Sequence, residues 1–452
     1  MTGALFVSVC WRSRQPGHPF LVLGMGFPLG MLGVIVGYRI LDALGIGLQF
    51  GLNAGLQMMM AGVLACWLLM RRTRPIRALQ MEAGRPDWQQ LRPGARWLIG
   101  LVAAWLLLRW LGLLIEVVHR PLFPWDAWYA YGAQAKVWFY TQALNVFADG
   151  NHWFETGEPA WAIGGVRHPP GIGLFQLWMV QALGRWDDAW MNLPWPVAGL
   201  SLALVLFGLA RVMGAGLVPA ALGVWLIMSL PMLNTQVVLA GYGDLWITAY
   251  LLIAVGSAAL LCRGPSPGLG VLALAALLGL LMIKEVGLYW SLIVAIGLLS
   301  LKFSLLQLAI GAGTGVLLVM AGLWWTGSTV ELSVLGQYGF DGGQWVFPGY
   351  TAMWGELLTH LLVIPNWHLF WYLVIAAWPM ALLAGRSDPA LRIVAVVGGL
   401  AVVGLAGLFA FSELGSAVSD GTSVNRMLLP AAPVLGLALT LWFDRRVAPE
   451  WS

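Results

Sequence analysis

Apolar stretches about twenty residues long recur along the chain and alternate with short polar connections. As an α-helix, each stretch is long enough to cross a hydrocarbon core of about 30 Å. Of the 452 residues, 60% are hydrophobic and 10% are charged, and this composition excludes a soluble domain. The pattern predicts an all-α, polytopic membrane helix bundle of about twelve transmembrane helices. The predicted spans are 20–41, 47–70, 97–115, 192–211, 215–234, 243–261, 268–283, 287–301, 304–324, 366–385, 390–411 and 426–443.

Lysine and arginine residues in the short connections all fall on one side of the membrane if twelve spans are correct. They are Arg12, Arg14, the seven arginines of 71–96, Arg211, Arg263, Lys302, Arg386, Arg392, Arg445 and Arg446. Positive residues stay preferentially on the cytoplasmic side, so we expect both termini there. The net charge of +4 and the pI near 9.1 therefore indicate basic cytoplasmic loops, and no nucleic-acid partner is expected.

The opposite side holds two long connections, 116–191 and 325–365, with most of the acidic residues and five of the six histidines. Ionisable groups concentrated at one face of a membrane protein indicate function there, so we expect an extracytoplasmic active site. Cys10, Cys66 and Cys262 lie in or beside predicted spans or on the cytoplasmic side, so no disulfide framework is expected. No cluster has metal-ligand spacing, and neither a metal nor another cofactor is predicted.

The first long connection begins with an amphipathic pattern rich in aromatic residues. Between Asp126 and Gln142 one helical face carries Trp128, Tyr131, Ala135, Trp138 and Phe139. Gln134 and Lys136 fall on other faces, which predicts a helix lying in the membrane interface. Residues 172–183 are apolar but too short to span, and predict a second interfacial or re-entrant helix. The second connection predicts a mobile loop over a cavity, followed by an interfacial helix near 351–363.

Asp126 lies between Trp125 and Trp128 at the start of this segment, and two interpretations remain open. It caps the interfacial helix, where a negative charge at the N-terminus is favourable. Alternatively it is a general base that the flanking tryptophans partly desolvate.

Cations are rare on this side, and they suit an anionic ligand at the membrane surface. Lys136, Arg167, Lys284 and Arg426 are four of six basic residues predicted there, with Arg120 and Arg185. Such cations bind a lipid phosphate and stabilise it as a leaving group. The structural alternative pairs Lys284 with Glu285 or Asp244 and lets Arg426 snorkel from a helix end.

Five short motifs follow one another along the chain in a recognisable order. They are WDAWYAYGAQAK at 125–136, HPP at 168–170, GYGD at 241–244, KEVG at 284–287 and NRMLLP at 425–430. The ordered set resembles the bacterial multispanning glycosyltransferases of the GT-C class, which include the protein O-mannosyltransferase and lipid A aminoarabinose transferase families. The resemblance extends from about residue 97 to 443. We therefore predict two extra N-terminal helices and a basic loop in 1–96, and a GT-C-like catalytic membrane domain in 97–452.

This resemblance implies transfer of a sugar from a polyprenyl-phosphate donor to an acceptor hydroxyl, with inversion. Asp126 is then the base, and Lys136, Arg167, Lys284 and Arg426 bind the donor phosphate. Trp125, Trp128, His168, Asp244 and Glu285 bind substrate or support these residues. The acceptor is expected to be a glycan, a glycolipid or a protein, in the bacterial inner membrane. Many members of the class carry an acidic pair separated by one residue in this loop. Asp126 has no such partner, and so no metal site is expected.

Two other functions remain open from the sequence. A lipid-linked oligosaccharide ligase or polymerase would also use external arginine and histidine residues, such as His360 and His368. A lipid or sugar transporter would show inverted repeats and charges near the midplane, and the chain shows no such repeat.

Overall fold

The computed structural model describes residues 1–70, 88–157, 159, 161–264, 266–332, 335–421 and 423–446, and these are mostly helical. The α-helices are α1 (Thr2–Cys10), α2 (His18–Ala43), α3 (Phe50–Met70), α4 (Pro93–His119), α5 (Ala133–Thr141), α6 (Gly150–Thr156), α7 (Gly171–Leu183), α8 (Pro194–Val212), α9 (Leu217–Met228), α10 (Pro231–Val238), α11 (Asp244–Arg263), α12 (Pro267–Ile283), α13 (Gly287–Leu299), α14 (Leu305–Thr326), α15 (Trp354–Leu358), α16 (Phe370–Ala384), α17 (Pro389–Phe411), α18 (Ser416–Ser419), α19 (Val424–Leu428) and α20 (Ala431–Arg446). Single π-helical turns occupy Ala127–Gly132 and Thr359–Val363. Short 3₁₀ turns lie at Trp88–Gln90, Trp190–Asn192 and Glu413–Gly415.

Every predicted span coincides with helix in the structure. Among the described residues, seven helices are long and apolar enough to cross a membrane, and α9 with α10, which meet at a bend of 62°, make an eighth if the pair counts as one span. The other predicted spans coincide with the shorter helices α12, α13, α16 and α20. The prediction of an all-α, polytopic membrane bundle is confirmed, while the number of twelve crossings stays a prediction.

Helix α11 forms the centre of the bundle, with every residue from Asp244 to Leu260 buried. Small residues let its neighbours approach closely, as membrane helices commonly require. A Cβ atom at Gly24 of α2 would lie 2.8 Å from the backbone nitrogen of Val205 in α8. The N-terminal helices therefore pack directly on the remaining bundle, and the predicted division near residue 97 is untested. No residue of α14 is buried, which leaves its apolar side chains to contact lipid.

One end of the bundle gathers charges that the sequence placed together on the cytoplasmic side. Arg263 Nη2 lies 2.7 Å from Asp388 Oδ2, and Arg445 bonds the same carboxylate oxygen. Burial alone would raise the pKa of Asp388, but Arg445 and Arg263 more than offset this and hold the pKa below its usual value. Arg71, Arg72, Arg74, Arg77 and Arg85 lie outside the described residues. The helix ends that carry Arg263, Asp388 and Arg445 therefore lie together, as the positions of the positive residues in the sequence predicted.

The second long connection was predicted as a mobile loop over a cavity, and the structure places in it a small β-sheet that was not predicted. Strands β1 (Thr329–Glu331), β2 (Gln337–Asp341) and β3 (Gln344–Val346) are antiparallel in the order β1-β2-β3. Gly342 and Gly343 both have positive φ angles, 55° and 84°, which a two-residue hairpin turn requires. Phe340 faces Trp345 across the strands with ring centroids 5.3 Å apart, a cross-strand pair that favours pairing over a mobile loop.

Cysteine labelling tests which end of the bundle faces outward. In a cysteine-free background, Asn151→Cys should react with a membrane-impermeant maleimide in intact cells, because residue 151 is exposed in the first long connection. Ser387→Cys, exposed at the opposite end, should react only after lysis. Labelling of position 387 in intact cells would overturn the predicted orientation.

Candidate functional site

Four charged residues from separate parts of the chain meet at the other end of the bundle. Asp126 precedes the π-helical turn, and Asp244 begins the buried helix α11. Lys284 follows the last residue of α12, and Arg426 lies in the short helix α19. Because each stands at a helix end or in a short helix, these side chains converge at the rim of the bundle. We call Asp126, Asp244, Lys284 and Arg426 the ionic cluster.

Arg426 joins both carboxylates of the ionic cluster. Its Nη1 and Nη2 atoms each donate to Asp126 Oδ2 at 3.1 Å, and its Nε donates to Asp244 Oδ2 at 3.1 Å. Lys284 Nζ donates to Asp244 Oδ1 at 2.9 Å. The planar guanidinium suits this double contact, since its donors form a rigid fork. The predicted alternative in which Lys284 pairs with Asp244 is therefore present, whereas Arg426 does not snorkel.

The ionic cluster has a buried side and an open side. The side chain of Asp244 is 7% exposed, whereas that of Asp126 is 41% exposed. Burial alone would lower the pKa of Arg426, but Asp244 and Asp126 raise it above its usual value, so Arg426 stays protonated. Two positive and two negative charges balance, and the ionic cluster is accessible on the side of Asp126.

Neighbouring side chains hold Arg426 in position. Asn425 accepts a hydrogen bond from Trp367 Nε1 at 2.8 Å and lies 3.2 Å from His360 Nδ1. The ring of Tyr242 lies 4.0 Å from Arg426 Cζ, a cation–π contact on the guanidinium face. His360 also contacts Val418 O at 3.1 Å, so both of its ring nitrogens have structural partners.

The backbone between α10 and α11 comes very close to the segment that carries Asp126. Gly241 has φ +97°, and a Cβ atom there would lie 2.6 Å from Ala127 Cβ. Only glycine combines this conformation with this approach. The GYGD motif therefore brings Asp244 beside Asp126.

Asp126 stands at the N-cap position of the π-helical turn, yet its side chain caps no described backbone group. The interpretation as a helix cap is thus not supported by the bonding. Both Arg426 bonds go to Oδ2, and no described residue bonds Oδ1. Trp125 and Trp128 are exposed, and their ring centroids lie 5.2 Å apart. They therefore pack on each other, whereas they were expected to desolvate the carboxylate of Asp126 in part.

Two of the predicted phosphate ligands lie outside the ionic cluster. Lys136 is exposed and its Nζ lies over the ring of Trp186, 5.6 Å from the centroid. Arg167 is exposed and its Nη2 lies 3.9 Å from Glu331. In this arrangement neither side chain is bonded to the cluster.

A helix is present where the interfacial helix was predicted, but two residues differ from the predicted faces. Trp128 was expected on the same apolar face as Tyr131 and Trp138, yet it is exposed while they are buried. Gln134 was expected on another face and is buried. The π-helical turn explains this difference, because its wider turn shifts the angular positions of residues relative to a regular α-helix.

Tyr131, His168 and Glu285 lie beside the ionic cluster. The rings of Tyr131 and His168 stack with centroids 5.5 Å apart. Glu285 is half-buried, and its carboxylate acts electrostatically on both neighbours, as do those of Asp126 and Asp244. Tyr131 was not identified as a site residue, since in sequence it was one of several aromatic residues on a packed helix face.

No group of three or more His, Cys, Asp or Glu side chains able to hold a metal ion is found in the described part of the chain. The expectation that no metal is required stays a prediction.

The fold is similar to two crystal structures of ArnT from Cupriavidus metallidurans, one apo and one bound to undecaprenyl phosphate. The apo structure matches with a TM-score of 0.48 and 18% identity over 79% of this chain. The bound structure matches with a TM-score of 0.49 and 18% identity over 78% of this chain. This chain covers 62% and 61% of those chains, less than two thirds of their length.

No protein-family model matches the chain. No curated protein matches its sequence either.

Proposed function

We propose that this protein is a membrane glycosyltransferase that takes a sugar from a polyprenyl-phosphate donor. The observation that carries the proposal is the ionic cluster, in which Arg426 joins Asp126 and Asp244 while Lys284 holds Asp244. A carboxylate and two cations beside one another, at the end of an apolar helical bundle, fit a reaction on a lipid phosphate. The ordered motifs supply these four residues.

Arg426 and Lys284 are the proposed ligands of the donor phosphate. A polyprenyl phosphate that carries a sugar is a phosphodiester with one negative charge, and the leaving polyprenyl phosphate gains negative charge. The two cations stabilise that developing charge by charge-assisted hydrogen bonds. Asp244 is the positioning residue, because it bonds both cations and is itself buried.

Asp126 is the proposed general base. The acceptor hydroxyl gives its proton to Asp126 Oδ1, the oxygen that Arg426 does not bond. The hydroxyl oxygen attacks the anomeric carbon from the face opposite the phosphate. The bond from that carbon to the phosphate oxygen breaks, and its electron pair leaves with the polyprenyl phosphate. This single displacement inverts the anomeric configuration.

The acceptor is a hydroxyl on a glycan, a glycolipid or a protein. It reaches Asp126 from the exposed side of the ionic cluster. This side is proposed to be extracytoplasmic, in a bacterial inner membrane.

Lipid binding tests the proposal directly. Purified protein in nanodiscs should bind undecaprenyl phosphate at least about tenfold more tightly than undecaprenol, which lacks the phosphate. Lys284→Gln removes one cation and should abolish most of this difference. Arg185→Gln is the control, since Arg185 is exposed and pairs with Asp187 outside the cluster. Equal binding of the two lipids by the unmodified protein would refute a phosphate site.

A further inference from the structure

Two polar atoms beside the ionic cluster are buried without a partner. Tyr131 is 1% exposed, and its hydroxyl oxygen bonds nothing within the described ranges. His168 Nδ1 is likewise buried and unbonded in this part of the chain. A buried polar group without a hydrogen-bond partner is energetically costly, so such atoms mark a place where a partner is expected.

These two side chains are held in a fixed arrangement. Their rings stack with an interplanar angle of 22°. Gly165 has φ +62°, and a Cβ atom there would lie 2.8 Å from His168 Cδ2. The HPP segment that follows starts α7, whose residues Ile172–Leu177 are buried. The fold therefore anchors the pair, and the stacked rings keep the two side chains together.

The chemistry of the pair suits an uncharged ligand. Burial raises the pKa of Tyr131, and burial together with the charge of Lys284 lowers the pKa of His168. Both side chains are therefore neutral at pH 7. The charges of Asp126, Asp244 and Glu285 act on both side chains. Arg426 acts on Tyr131 and Lys284 on His168, so charges of both signs surround this neutral pair. A hydroxyl group fits, because it donates one hydrogen bond and accepts others.

We propose that Tyr131 Oη and His168 Nδ1 bind hydroxyl groups of the sugar that the lipid donor carries. The inference rests on the proposed function, because the ionic cluster takes the phosphate to which this sugar is attached. The two subsites divide the donor into a charged part and a neutral part. Tyr131 and His168 then bind the sugar, while Arg426 and Lys284 bind every polyprenyl phosphate alike.

Comparison of lipids with and without sugar tests this division. The probes are undecaprenyl phosphate and a panel of undecaprenyl phosphates that each carry one neutral sugar. The unmodified protein should bind at least one sugar-bearing lipid more tightly than the sugar-free lipid. Tyr131→Phe keeps the stacked ring and removes the hydroxyl, so it should weaken binding of that lipid about tenfold. Binding of sugar-free undecaprenyl phosphate should not change.

The histidine is tested by two replacements with different chemistry. His168→Asn places an amide near the position of Nδ1 and should retain more sugar-dependent affinity than His168→Phe, which has no polar atom. Tyr140→Phe is the matched control, because Tyr140 is exposed on α5. This variant should bind every lipid with the affinity of the unmodified protein.

Other outcomes decide against the subsite. Equal loss for both lipids in Tyr131→Phe would assign Tyr131 a structural or phosphate role. No loss for either lipid, or no sugar preference in the unmodified protein, would also overturn it. Failure of the unmodified protein to bind any polyprenyl phosphate would instead reject the proposed function.

Discussion

Asparagine in place of Asp126 is expected to lower sugar transfer by at least about 100-fold, in line with the usual contribution of a general base. Asparagine keeps the size of the side chain but cannot take up the proton of the acceptor hydroxyl. Asp126→Glu is expected to retain part of the activity, because the carboxylate remains but is displaced by one methylene. Single-turnover transfer from a radiolabelled polyprenyl-phosphate sugar measures the chemical step separately from binding.

Donor binding separates this role from a structural one. Asp126→Asn should bind undecaprenyl phosphate at least as well as the unmodified protein, because loss of the negative charge leaves two Arg426 nitrogens available to the phosphate. Asp149→Asn is the matched control, since Asp149 is an exposed acid in the same connection that caps α6 through His152. Normal transfer by Asp126→Asn would refute the proposed mechanism.

The bundle could be predicted from the sequence because the apolar signal is local. About twenty consecutive apolar residues indicate a membrane helix, and no distant contact is needed to recognise it. Short helices such as α13 and α16 show the limit of this reasoning, since their apolar stretches extend into loops. Helix α1 was not predicted, because nine residues are too few to span and its stability comes from packing on α2.

The sequence of the second connection contains a local signal for the β-hairpin, although no strand was predicted there. Gly342-Gly343, with Phe340 before it and Trp345 after it, is a typical sequence for a two-residue hairpin turn. Its strands of three to five residues are much shorter than the apolar stretches that predict membrane helices. This hairpin could therefore have been predicted from the sequence.

The site was only partly predictable for a different reason. The motifs supplied Asp126, Asp244, Lys284 and Arg426 as candidates, but not their pairing. Asp126 and Arg426 are 300 positions apart, and the hydrogen bond between them depends on how distant helices pack. The same packing leaves Lys136 and Arg167 away from the cluster, although by charge alone they matched Lys284. Charge indicates the type of ligand, whereas packing decides which charges face it.

Replacement of Arg426 by lysine has the second large expected effect. Lysine keeps the positive charge but loses the fork with which Arg426 contacts Asp126 and Asp244 and with which we propose it binds the phosphate. We expect transfer to fall by about 100- to 1000-fold, comparable to removal of one donor that stabilises developing negative charge. Affinity for undecaprenyl phosphate should fall as well, which distinguishes this variant from Asp126→Asn.

Stability must be measured alongside, because Arg426 bonds a buried carboxylate. Arg426→Ala removes one of the two cations that bond Asp244 and leaves Lys284 as the other, so we expect a destabilisation smaller than the roughly 3–5 kcal/mol of a fully broken buried pair. In Arg426→Lys the ammonium still compensates Asp244, so thermal unfolding should change much less than in Arg426→Ala. Arg185→Lys, on the same side of the bundle, controls for the substitution itself and should leave transfer unchanged. If Arg426→Lys transferred sugar at the normal rate, then charge alone would suffice at this position. The forked geometry of the guanidinium would then have no part in stabilising the leaving phosphate, and the predicted loss of transfer would be wrong.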